Sequence, residues 1–165
     1  MPDAAYDIAR WSDLFVAAAG ASAALAGLVF VAVSINLDRI LTFPGLPERG
    51  LVTMAMLLAV LIVSLLGLAP GQSHTALGIE FLWIGVAMTV WFSVLATRSV
   101  ATDEEASHFA SALGIALFGS LPLLVGGIAV LTASIGGFYW ILAGLITAIL
   151  AAVANAWVLL VEILR

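Results

Sequence analysis

The sequence has no cysteine and no lysine, and only 9% of its 165 residues are charged. Without cysteine there are no disulfides, no thiolate chemistry and no cysteine-ligated metal. Without lysine, five arginines face ten acids, and the net charge is −5. Nucleic-acid binding needs a basic surface, so no nucleic-acid partner is expected. A soluble domain is about one-quarter charged; this chain has too little charge to cover a water-exposed surface. It also lacks a glycine-rich phosphate loop, an HExxH pair and a nucleophile elbow. No enzymatic activity, metal site or cofactor is expected.

What is present is apolar. The hydrophobic share is 64% and the mean hydropathy +1.25. About 20 apolar residues cross a bilayer, and the chain reads as a single membrane domain, 1–165, with spans at 14–37, 50–69, 77–97, 109–132 and 138–161. The expected fold is all-α, a transmembrane helical bundle of five spans. Met1 to Asp13 carries Asp3, Asp7 and Asp13 against Arg10, which is not the basic lead of a cleavable signal.

The breaks between spans are chemically marked. Pro44-Gly45-Leu46-Pro47 cannot continue a helix, and Pro70-Gly71 is a turn signal. Thr102-Asp103-Glu104-Glu105 matches a capping box ahead of span 4. Pro122, with Gly126 and Gly127 one turn later, predicts a kink there. A re-entrant break at the two glycines is the main alternative to a full crossing. Ser134-Ile135-Gly136-Gly137 is a tight turn.

Arg39, Arg49, Arg98 and Arg165 fall on one side of such a bundle and Arg10 on the other. The positive-inside rule then gives N-terminus out and C-terminus in. Trp11, Trp83, Tyr139 and Trp140 fall at the outer interface and Trp157 at the inner one, where amphipathic rings prefer to sit.

Span 1 carries Ala17, Gly20, Ala24 and Gly27 on one helical face. Small residues let membrane helices approach closely, so this span reads as the packing spine of the bundle. Gly144, Ala148 and Ala152 repeat the pattern in span 5, within the chain or between chains.

Two acids stand near span ends. Glu80 opens span 3 and Asp13 opens span 1; together they are the candidates for an ion or proton path. Each also has a plain reading as a carboxylate at a helix N-terminus, where the dipole favours it. Asp103, Glu104, Glu105 and His108 form an inner acidic cluster, with Glu104 and His108 on one face. Two ligands do not make a zinc site, and the cluster reads as a capped, solvated helix start. His74 falls on the outer side and His108 on the inner, so they cannot share a site. Asn36, Asn155, Ser22, Ser64, Thr89, Ser93, Ser120 and Thr147 are the usual interhelical hydrogen-bonding types.

Several stretches carry a resemblance: WSDLFV at 11–16, ALAGLVFVAVSINL at 24–37, LPER at 46–49, PGQS at 70–73 and NAWVLLVEILR at 155–165. Together they resemble a family of small bacterial, actinobacterial-type, multi-span membrane proteins, some of them labelled modulators of the membrane protease FtsH. The resemblance implies an accessory membrane protein and places no functional residue. The expected function is therefore non-enzymatic: an accessory or interaction partner of a larger membrane complex in the bacterial cytoplasmic membrane. Its expected partners are the lipid bilayer and other membrane subunits, self or foreign. The alternative is a homo-oligomeric channel or transporter for an ion or small solute.

Overall fold

The computed structural model describes residues 3–43, 45–99 and 106–164, with side chains for all of these except 3, 96–99, 106–113 and 162–164. Two short 3-10 turns, Asp3–Ala5 and Ile8–Trp11, lead into six α-helices. These are α1 (Ser12–Ile35), α2 (Leu37–Thr42), α3 (Leu46–Leu68), α4 (His74–Ser99), α5 (Ala106–Leu131) and α6 (Phe138–Leu164). All but α2 are long and apolar enough to cross a membrane, giving five candidate spans among the described residues.

The helix limits follow from local chemistry. The chain breaks at Asn36, whose φ of −108° and ψ of 17° leave helical geometry. Its side-chain Nδ2 donates back to Ala32 O at 2.8 Å. The following residues form the short α2, with Ile40 buried against Leu46 and Leu159; the sequence reading put this region in a loop and an overlong first span. α3 starts at Leu46 rather than Gly50, because Pro47 lies in its first turn. Proline is tolerated there, where its missing N–H has no partner to lose. Similarly, α4 starts at His74 rather than Leu77, because the Ser73 hydroxyl accepts the Ala76 N–H at 3.2 Å and caps the helix.

α5 runs unbroken from Ala106 to Leu131 with Pro122 inside it. The two glycines after the proline do not interrupt the crossing. They make room instead: a Cβ at Gly127 would lie 2.5 Å from Leu82 Cα of α4, and one at Gly126 would lie 3.0 Å from Ile141 N of α6.

In space the helices follow the order α1, α3, α6, α5, α4, each packed chiefly on its neighbours in that row. At the end that carries residues 3–11, here the cap end, the row closes on itself. Phe15 of α1 lies 6.3 Å from the ring of Phe81 in α4 and 6.2 Å from that of Phe138 in α6. The opposite end, here the far end, carries α2.

Close approach through glycine is concentrated between α4, α5 and α6. A Cβ at Gly78 or Gly85 of α4 would stand 2.7 Å from Leu131 Cα or Leu124 Cα of α5. Gly144 of α6 meets Leu123 in the same way, and Ala148 packs beside Gly119. The packing-spine reading of α1 is corrected here. Gly20 and Gly27 have nothing within 4 Å of a Cβ position, and Ala17 and Ala24 are exposed. The buried face of α1 is Phe15, Ala18, Ser22 and Ala26, nearly opposite the expected one, about 175° round the helix. Both faces repeat every three or four residues. The deciding contact is Phe15, whose ring fills the space over Gly67 of α3.

Candidate functional site

At the cap end, residues 3–11 fold over the turn between α5 and α6. That turn needs four residues with positive φ: Ala133 at 47°, Ile135 at 60°, Gly136 at 99° and Gly137 at 52°. Positive φ is costly for a β-branched side chain, so Ile135 is held by its surroundings. The Gly136 N–H donates to the Tyr6 hydroxyl at 3.3 Å, and Trp140 Nε1 donates to Ile135 O at 2.7 Å. Only glycine fits at 137, where a Cβ would stand 2.6 Å from Tyr6 Cε1. Trp11 donates Nε1 to Ala4 O at 2.8 Å and stands edge-on to Tyr139, with ring centres 4.9 Å apart. Trp11, Tyr139 and Trp140, three of the aromatics expected at the interface, thus also belong to the clamp that joins the chain's leading segment to its last hairpin.

The two acids expected to line a path have different surroundings. Glu80 is half-buried, and its Oε2 accepts from Gln72 Nε2 at 3.0 Å, so the carboxylate is tied to the turn before its own helix. Asp13 is exposed. It is two residues from Phe15, which places it about 200° round α1, away from the bundle. Asp103, Glu104 and Glu105, and the side chain of His108, lie outside the described residues, as does the capping box at 102–105. Among the described residues there is no cluster of three or more groups able to hold a metal ion.

Among the described residues, the buried polar side chains inside the bundle are Ser22, Arg49, Thr53, Ser64, Ser120 and Asn155. The hydroxyls bond to their own helices. Ser22 donates to Ala19 O, Thr53 to Arg49 O at 2.9 Å, Ser64 to Val60 O at 2.7 Å and Ser120 to Leu117 O. Thr89 of α4 donates across to Ser120 of α5 at 3.3 Å. These bonds spend the hydroxyl protons locally.

Two residues stand apart. Arg49, expected as a surface charge of the inner loop, is only 3% exposed in the first turn of α3. Asn155 of α6 is 0% exposed, and both its Oδ1 and its Nδ2 are buried without a hydrogen-bond partner. Asn155 was legible as an amide within an apolar helix; nothing in the sequence signalled the burial of Arg49.

On the outside, α5 and α6 leave an open apolar groove of about 430 Å³, lined by Ile115, Phe118, Thr147 and Leu150 among others. Its one hydroxyl, Thr147, donates to Ala143 O at 2.8 Å.

No protein-family model, no curated protein and no solved structure matches the chain. By helix length and hydropathy it is a multi-pass membrane protein in contact with a lipid bilayer.

Proposed function

We propose that the chain is a non-enzymatic accessory subunit that docks on a larger membrane complex through the outward face of α1. The observation that carries this reading is the open space over Gly20 and Gly27, on a helix that packs on this chain chiefly through α3. Between membrane helices, close backbone contact through small residues supplies the association energy that the hydrophobic effect does not. The resemblance to small bacterial accessory membrane proteins points the same way. In this reading the chain sits in the bacterial cytoplasmic membrane, with the cap end outside and the far end, with its arginines, inside.

The test uses Gly20→Leu and Gly27→Leu. Both side chains extend into open space, so the bundle is expected to keep its stability. Native mass spectrometry of gently extracted protein is expected to show a stoichiometric foreign subunit with the wild type and its loss with either variant. A closed homo-oligomer without a foreign subunit would instead favour the channel or transporter reading, and ion flux through Glu80→Gln liposomes would then decide that case. A foreign subunit retained by both variants would move the docking face elsewhere.

A further inference from the structure

We propose that Asn155 and Thr53 hold ordered water between α3 and α6, forming a buried hydration site within the membrane-spanning bundle. The starting point is the Asn155 side chain, fully enclosed, with neither amide atom bonded. Asn36 shows the ordinary alternative, since its Nδ2 donates to the carbonyl four residues back at 2.8 Å. Asn155 does not take that option. A buried amide left unpaired is costly, and buried polar groups are met by protein or by ordered water.

Helical geometry identifies what faces it. Gly50 of α3 packs against Leu159 of α6, its Cβ position lying 4.0 Å from Leu159 Cδ1. One step further into the bundle, Met56 of α3 and Ala151 of α6 both close on Gly119 of α5. α3 and α6 therefore run antiparallel here. Three residues from Gly50 to Thr53 rise about 4.5 Å and four from Leu159 to Asn155 about 6 Å, so the two side chains lie within about 1.5 Å in depth. Thr53 falls between Gly50 and Met56 on the α3 face, and Asn155 between Leu159 and Ala151 on the α6 face. Both are 0% exposed.

The chemistry at that level suits water. The Thr53 hydroxyl gives its proton to Arg49 O at 2.9 Å, which leaves its oxygen free to accept. A water can donate to Thr53 Oγ1 and to Asn155 Oδ1, while the two amide protons of Asn155 donate to it or to a second water. That matches the few polar contacts a buried water makes. A metal ion is a poorer fit, because no cluster of three or more His, Cys, Asp or Glu groups is found among the described residues.

The chain contains two asparagines, Asn36 and Asn155, so ¹⁵N-asparagine labelling gives two side-chain amide signals. Solid-state NMR in lipid bilayers would measure magnetisation transfer from water to them, with Asn155→Leu assigning the Asn155 signal by its disappearance. The expected result is rapid transfer from water to the Asn155 amide, lost in Thr53→Val. That variant keeps the side chain's shape while removing the oxygen. Absence of transfer to Asn155 in the wild type would overturn the proposal. Transfer that persists unchanged in Thr53→Val would also overturn it, since the water would then not be shared with α3.

Discussion

Glycine has opposite meanings at two places in this chain, and only the neighbours tell them apart. At Gly85 a methyl group would meet the α5 backbone 2.7 Å away, whereas at Gly20 it would meet nothing within 4 Å. Gly85→Ala should therefore destabilise the bundle by about 1–3 kcal/mol, the usual cost of overpacking. Gly20→Ala should leave stability unchanged or slightly raised, since alanine is the better helix former. Unfolding in detergent micelles measures both, and equal effects would mean that the two faces of the bundle are misassigned. The sequence spaces both kinds alike, Gly20 and Gly27 seven residues apart and Gly78 and Gly85 seven residues apart. It could not rank them, because the deciding fact is the backbone of a helix tens of residues away. Arg49 was hidden for a related reason: an arginine next to a Pro-containing loop looks like an interfacial charge until α3 is known to begin at Leu46.

At the level of the helices, the sequence was far more informative. Uncharged runs of 20 or so residues have few alternatives to a membrane-crossing helix, and all the expected spans correspond to helices in the structure. What it blurred were the ends, where one side chain decides. Ser73 extends α4 by a turn through its bond to Ala76 N. Ser73→Ala should cost about 0.5–2 kcal/mol, the range for losing an N-cap. The loss should appear locally, as faster amide exchange at residues 75–77 with exchange in the middle of α4 unchanged. The six-residue α2 was illegible for a different reason: one buried isoleucine is too little pattern to identify a helix.

The whole molecule was the least legible level. A periodic stripe names a face but not the face it meets, so the row α1, α3, α6, α5, α4 could not be read off. Connectivity does impose one constraint that the structure makes concrete. Residues 3–11 and the 133–137 turn share the cap end, through Tyr6 and Gly136. Reporters placed in the 133–137 turn and before Tyr6 should therefore label the same side of the membrane, and a reporter after Arg165 the opposite side. With the arginine bias, the last should be the cytoplasmic one. Reporters on one side at all three positions would rule out five crossings.

The Tyr6–Gly136 bond also has a consequence in time. Its partners are 130 residues apart, and synthesis at about 5–20 residues per second separates them by roughly 7 to 26 s. Throughout that interval Tyr6 and Trp11 have no turn to close on. Closure of the cap is thus among the last events in the birth of the molecule, and a chain stalled before its final hairpin would carry an unseated aromatic segment as the visible sign of its incompleteness.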